Sequence, residues 1–506
     1  MLAISGVQPI YGWTHKKANV SKFLDACKRP TTYNKLAYVL PLLGLMLCIA
    51  NSWKAFSYWQ DELGSVTLSS LPFAELFSAI LQDVHPPLYQ IILKLWILTW
   101  GDNEPAVRLL SLIFCLCAFV DLFIWSRRLD GVSRWATLVV FATSFLFSFY
   151  AQEARSYALL LLLSTVFTTR FTVFGSSKGH SHGLIRLLFV AVALSMTHYF
   201  GLLLAAVALL YLLIEYRHDS KTVAKVVLAG LCCCTWLFVH FYYGLFHTKS
   251  VNNAWMVIQG PLDTIRLFAR ALLPIKEGWA AIGAAFVFAA ALIVIFVCAN
   301  RLTADRQVFK QAFKRVVFII VGLLLLAIIA DQLSPISTER NFIILLPSVS
   351  IASGFFISIV LNRARFRIRP LLIVVFLITA WGVLSLNFSY YLLVLKWGPQ
   401  QNWKASAQYV IDRHEGAKIY YLRSSDADET DRVFNFYIKK LSQGRLSAER
   451  IYISQLPTMP RPAILFFALL NASTIDQIYK QNNLTKDAVF YPEQSLSGTT
   501  GVFIFK

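Results

Sequence analysis

With 506 residues, 57% of them apolar, and a mean hydropathy of +0.58, the chain is too apolar for a soluble globular protein. Its 47 Lys and Arg against 27 Asp and Glu give a net charge of +20. Those charges are spread over many short segments, which excludes a concentrated basic face and a nucleic-acid partner.

A membrane span needs roughly 17–25 apolar residues. Eleven stretches qualify: 36–52, 105–126, 134–150, 155–174, 185–198, 199–216, 223–246, 279–300, 316–333, 342–361 and 370–390. The run 185–216 is too long for one span and carries His198-Tyr199 at its middle, which predicts a helical hairpin turning on that pair. Thirty-five mostly polar residues precede the first apolar run, and no clean small-residue cleavage motif follows it, so that run is not read as a cleaved signal peptide.

Positive charge marks one side of the alternating spans. Lys16, Lys17, Lys22, Lys28, Arg29 and Lys35 precede the first. Arg127, Arg128 and Arg134 fill one later turn, and Arg217, Lys221 and Lys225 another. Arg301, Arg306, Lys310, Lys314 and Arg315 form a further group, as do Arg363, Arg365, Arg367 and Arg369. By the positive-inside bias this side is cytoplasmic, with attraction to anionic membrane lipid as a secondary effect. The expected organisation is a cytoplasmic tail, 1–35, a transmembrane domain, 36–390, and an extracytoplasmic domain, 391–506, in the plasma (inner) membrane. The eight cysteines lie in spans or in the N-terminal tail, which implies no disulfide framework. Cys232-Cys233-Cys234 suits helix packing better than a metal, because consecutive helical residues point in different directions.

Residues 52–104 make the first outer loop, pinned to the membrane at both ends. Asp61 and Glu62 follow an aromatic stretch from Phe56 to Trp59, which suits a membrane interface. Next come Asp83 and His85-Pro86-Pro87. Proline restricts the residue before it to extended backbone and suits a first helical turn. The pattern predicts a short helix over 86–100, lying in the interface and interrupted by Lys94, with His85 ahead of an N-terminus suited to a phosphate. His85 as a mere helix cap is the competing reading. Arg108 opens the next span.

Three later pairs reach the same face: Glu153 with Arg155, His198 with Tyr199, and Glu339 with Arg340. Each alone reads equally as a local ion pair or a packed turn. Together they place carboxylates suited to base catalysis and guanidinium groups suited to phosphate on one side of the membrane. In the tail, 402–414, 432–441 and 474–481 read as helices, and 418–422, 451–453, 463–467 and 502–505 as strands. This is a small α/β domain with no nucleophile elbow, metal cluster or phosphate loop of its own. The fold class is therefore mainly α: a polytopic membrane protein of about eleven transmembrane helices with a small C-terminal α/β domain.

The order DE, DVHPPLY, AVRLLS, YAQEARSYAL and THYFG resembles the polytopic GT-C glycosyltransferases. The likeness is to the bacterial branch related to protein O-mannosyltransferases and the lipid A aminoarabinose transferase. It covers roughly 35–350 and is strongest over 55–160. The resemblance implies transfer of a sugar from a polyprenyl-phosphate donor to a lipid, glycan or protein acceptor on the outer face. It implies Asp61 as catalytic base, Glu62 as its acceptor-holding neighbour and Glu153 as a further carboxylate. Asp83, His85, Arg108, Arg155, His198, Tyr199 and Arg340 are then the donor- and phosphate-facing set. His85 stands where some relatives have lysine and need not be charged at neutral pH. Metal use varies among GT-C enzymes, which leaves a divalent metal open. Attack opposite the phosphate would invert the anomeric centre. A transporter or flippase of a lipid-linked sugar is the alternative, but it calls for charges deep within the spans. A lipid-linked ligase calls for a large outer loop late in the chain.

Overall fold

Every expected span that lies among the described residues is helical, the one over 134–150 in two pieces; the expected span 279–300 lies outside them. The structure, a computed structural model, describes residues 39–52, 56–81, 83, 85–174, 180–247, 260–272, 307–364, 368–397, 401–422, 430–468, 472–482, 489–490 and 500–505.

The first span is α1 (Val39–Ser52). In the loop after it lie α2 (Gln60–Ser69), α3 (Phe73–Ile80) and α4 (Leu88–Trp100). The bundle continues through α5 (Glu104–Ser126), α6 (Gly131–Thr143), α7 (Phe145–Tyr150), α8 (Tyr157–Val173), α9 (His180–Ser195), α10 (Tyr199–Glu215) and α11 (Ser220–His247). After α12 (Pro261–Leu272) and α13 (Gln307–Leu333) comes a 3-10 turn (Glu339–Leu345) leading into α14 (Leu346–Arg363), then α15 (Arg369–Trp397). Among the described residues five helices are long and apolar enough to cross a membrane, beginning at Glu104, Ser220, Lys310, Glu339 and Leu371. The protein is a polytopic membrane protein.

The expected span over 134–150 is broken. Ser144 takes extended backbone (φ −60°, ψ 137°) and divides α6 from α7. Close approach of backbones positions α6. A Cβ on Gly354 of α14 would fall on Thr137 Oγ1 and the Ser133 carbonyl, and one on Gly44 of α1 on the Ala142 carbonyl. Small residues at such crossings are how membrane helices gain van der Waals contact without a hydrophobic drive. The bundle end away from α2 is tied by Arg315, which reaches both carboxylate oxygens of Glu215 (3.0 and 2.9 Å), and by Arg170 with Asp121 (2.5 Å).

The first loop holds more structure than its sequence predicts. Asp61 and Glu62, read there as loop residues, sit in the first turn of α2, where carboxylates are favoured by the helix dipole. The predicted helix over 86–100 begins at Leu88, with Pro87 as its cap, and stops at Gly101, whose φ of +81° favours glycine. Lys94 does not interrupt it. It is buried, with Nζ on the Leu71 carbonyl and over the Phe73 ring. Phe73, Phe77, Leu95, Leu98 and Trp100 are exposed, an outer face suited to an interface.

The C-terminal part is a five-stranded sheet flanked by α16 (Trp403–Arg413), α17 (Thr430–Leu441) and α18 (Ala472–Gln481). Its strands are β1 (Lys418–Leu422), β2 (Glu449–Ile451), β3 (Ala463–Ala468), β4 (Val489–Phe490) and β5 (Thr500–Phe505), in the order β2-β1-β3-β5-β4. β1 runs parallel to β2 and β3, while β5 is antiparallel to β3 and β4. The strand predicted at 451–453 lies two residues earlier, because a 3-10 turn (Ile453–Thr458) follows it; β4 has too short a run to be predicted. α15 continues to Trp397, so the expected boundary at 390 falls within a helix. Trp403, Phe434, Tyr437 and Ile438 share one apolar cluster with Tyr58, Leu63 and Val66, which seats this domain on α2.

Candidate active site

Glu62 is the anchor of the site. It is 1% exposed, and its carboxylate accepts from Arg108 Nε (2.9 Å) and Nη2 (2.6 Å), a bidentate pair. The same carboxylate takes the backbone N–H of Ala154 (3.0 Å) and of Trp59 (3.3 Å). Arg108 also donates to the carbonyls of Phe56 (3.0 Å) and Ser57 (3.3 Å). Both residues were expected to face substrate. The structure instead commits them to each other and to backbone, because a buried charge is tolerated only when its hydrogen bonds are complete.

Asp61 points the other way, into a half-open space. Its Oδ2 meets Arg340 Nη1 at 2.6 Å and Arg155 Nη2 at 3.8 Å. Arg340 comes from the 3-10 turn and Arg155 from the turn before α8, so tertiary packing alone brings them together. Arg155 Nη1 donates to the Asp61 carbonyl (3.0 Å) and to Ser65 Oγ (3.2 Å). Its Nη2 lies 3.3 Å from His85 Nε2, which must therefore accept; the ring proton then sits on Nδ1, 4.0 Å from Asp83 Oδ1. Glu339, the neighbour of Arg340 in sequence, meets Arg270 (3.1 Å).

His85 is held neutral. Burial pushes its pKa well below the usual 6.5, and the charges of Arg155 and Arg340 add to the effect. His198 is lowered to about 3, by burial first and then by Arg155 and Arg340. Its Nδ1 caps α10 by accepting from Phe200 N (3.1 Å), and its ring lies edge-on to His85 at 5.4 Å. Tyr199 turns away and bonds His240 of α11. Glu153 is buried, and its pKa is raised well above 4.5, by burial first and then by Glu62 and Asp61. Both causes favour the neutral acid over the carboxylate.

The N-terminus of α4, the expected phosphate site, offers fewer free donors than a typical helix start. Pro86 and Pro87 have no N–H, Leu88 N donates to the Met196 carbonyl (2.9 Å), and Ile91 N closes on Pro87 (3.1 Å). Groups that sequence reasoning missed are Tyr157, under Arg340 (5.7 Å) and beside His198 (5.7 Å), and His240. Tyr157 follows Arg155 by two residues and was in view; His240 carries no local signal. Among the described residues no group of three or more His, Cys, Asp or Glu is arranged to hold a metal ion.

No family model and no curated protein matches the chain by sequence. Its fold does match a solved structure, ArnT from Cupriavidus metallidurans bound to undecaprenyl phosphate. The TM-score is 0.55 at 12% identity, over 94% of this chain and 98% of that one. The chain has the fold of ArnT. Apo ArnT from the same organism matches with a TM-score of 0.52 at 10% identity, over 97% of this chain and 98% of that one. The likeness spans both the membrane bundle and the C-terminal sheet. On that fold the Asp61, Arg155 and Arg340 group sits where the bundle meets the C-terminal domain.

Proposed function

We propose that the protein is an integral-membrane glycosyltransferase. It moves a sugar from a polyprenyl-phosphate donor to an acceptor hydroxyl on the extracytoplasmic side of the inner membrane, with inversion. The observation that carries this reading is a partly open carboxylate, Asp61, facing two arginines at the edge of a GT-C membrane bundle. ArnT, of the same fold, binds undecaprenyl phosphate.

Each part of the reaction has a group suited to it. The leaving group is a phosphate monoester, and Arg155 and Arg340 offer planar donors to its developing charge. Asp61 removes the proton from the attacking hydroxyl. Before donor arrives, the same two arginines hold the Asp61 carboxylate. A donor phosphate competes for them and frees Asp61, so the donor binds first and the base is released only when there is a sugar to transfer. Neutral His85 orients Arg155 through Nε2 rather than adding a charge.

The direct test supplies undecaprenyl-phosphate pentoses and hexoses, labelled in the sugar, to sealed vesicles of both orientations with membrane lipid and protein as acceptors. Transfer that needs this protein, in vesicles whose extracytoplasmic face is accessible, is expected. Absence of transfer from every donor, or transfer in the opposite orientation alone, would sink the reading.

Donor affinity gives a second expected result. Arg340→Gln and Arg155→Lys each lose about 10–100-fold in affinity for a donor phosphodiester, the scale of one charge-assisted bond. Wild-type affinity stays flat from pH 6.5 to 8.5. The sign follows from His85: with its pKa lowered, it is already neutral across that range and gains a proton, tightening the donor, only well below it. A tenfold fall in affinity between pH 6.5 and 7.5 would mean that His85 is charged in the complex and would overturn its assigned role.

A further inference from the structure

We propose that the C-terminal domain is a working part of the active site, with Gln401 and Tyr437 as positioning residues that hold the backbone leading into Asp61. Residues 56–60 form a strap between the bundle and the soluble domain. From the bundle side Arg108 grips the carbonyls of Phe56 and Ser57. From the other side the C-terminal part of the chain grips it too. Tyr437 Oη accepts from Tyr58 N (2.8 Å) and donates to Glu104 Oε1 (2.9 Å). Lys404 N donates to Ser57 Oγ (3.2 Å), whose hydroxyl in turn donates to the Tyr58 carbonyl (3.0 Å).

Gln401 is the more telling contact. Gln60 is the first residue of α2, and the first N–H groups of a helix have no partner within it. Gln401 Oε1 accepts that N–H at 3.0 Å, from 341 positions away, and is itself oriented by Trp403 Nε1 at 2.7 Å. The soluble domain therefore supplies a helix cap to the helix whose second residue is Asp61. Gln401, Tyr437 and Tyr58 are all buried, so no water replaces a lost acceptor. Neither Gln401 nor Tyr437 is close enough to touch Asp61 through these contacts. They act through the backbone, setting where the carboxylate stands relative to Arg155 and Arg340.

The inference rests on the reading of Asp61 as the base, and the experiment separates the two. Turnover and donor KM are measured with whichever labelled undecaprenyl-phosphate sugar is transferred best. Binding of undecaprenyl phosphate and hydrogen exchange over residues 56–62 are measured in parallel. Tyr437→Phe removes the acceptor of Tyr58 N–H; Gln401→Met keeps length and removes the acceptor of Gln60 N–H. Each is expected to lower kcat by about 10–100-fold, the scale of a misplaced catalytic group, with donor KM and undecaprenyl phosphate binding unchanged. Exchange at Tyr58 and Gln60 should quicken. Gln401→Glu keeps an oxygen in place and should restore most of the turnover. Lys440→Met, which breaks the rim contacts with Asp102 and with the Phe436 ring but leaves the hydrogen bonds of Tyr437 and Gln401 in place, should leave turnover as it was. Three results would overturn the proposal. One is normal kcat in both Tyr437→Phe and Gln401→Met. Another is equal loss of turnover and undecaprenyl phosphate binding, the mark of general damage. The third is unchanged exchange at the two amides. Normal turnover in Asp61→Asn would instead overturn the base assignment and leave the exchange result standing.

Discussion

Asp61→Asn is expected to lower turnover by about 10²–10⁴-fold, the usual contribution of a general base, while donor affinity rises. The second half of that result is the distinctive one. In the free protein the Asp61 carboxylate occupies Arg340 at 2.6 Å and lies 3.8 Å from Arg155. Asparagine keeps the shape but not the charge, so the donor phosphate meets arginines with no competing anion. A merely structural aspartate would give the opposite pattern, with loss of donor binding as its neighbours repel each other. Glu153 provides the contrast. Burial and the neighbouring carboxylates raise its pKa and so favour the neutral acid, and Glu153→Gln should turn over within a few fold of wild type. A group with a raised folded pKa contributes stability below its unfolded pKa and loses it as pH rises through the folded value. Glu153→Gln should therefore lose less stability than wild type as pH rises above the ordinary carboxylate range. Kinetics and donor binding of the two variants, side by side, decide the matter. Near-normal turnover in Asp61→Asn with a deep loss in Glu153→Gln would reverse the roles assigned here.

Arg108→Met is expected to destabilise the protein by about 3–5 kcal/mol, the cost of leaving one member of a buried ion pair without its partner. That is a large share of the roughly 5–15 kcal/mol by which proteins are ordinarily stable. Glu62 would keep only two backbone N–H donors for a buried carboxylate, and the carbonyls of Phe56 and Ser57 would lose their donor. Adding Glu62→Met to the same chain should recover much of the loss, because two packed apolar side chains replace the pair. Thermal unfolding in detergent, followed by loss of the monodisperse species, measures both. If Arg108→Met alone unfolds at the wild-type temperature, the pair is not the anchor described above.

The helical bundle was legible because its signal is local. An apolar run long enough to cross a bilayer must satisfy its own backbone, and a helix does so without any other part of the chain. The hairpin turning at His198-Tyr199 followed from the same argument, since one run was too long for one span. The helix of Asp61 was not legible. The segment from Gln60 to Ser69 has no apolar stripe of helical period, and its burial comes from α4 and from the C-terminal domain on different sides. The break at Ser144 was also hidden, because serine is tolerated within a span and nothing adjacent marks a stop.

The candidate site divides along the same line. Residue type and position singled out Asp61, His85, Arg155 and Arg340 as polar groups at one end of the spans, since ionisable residues at membrane depth are costly and rarely incidental. By itself the sequence determined that much: a polytopic membrane chain with carboxylates and guanidinium groups gathered toward one face, and a small α/β domain after the last span. Only the tertiary structure decided which of those charges remain open to a ligand. Glu62 and Arg108 are adjacent in character to Asp61 and Arg155, yet they close on each other because burial forces a complete set of hydrogen bonds. Asp61 and Arg340 stand 279 positions apart and meet at the open rim, where that demand is weaker. Gln401 and Tyr437 bear on the site through single hydrogen bonds across more than 300 positions, contacts for which a linear sequence carries no period, spacing or motif.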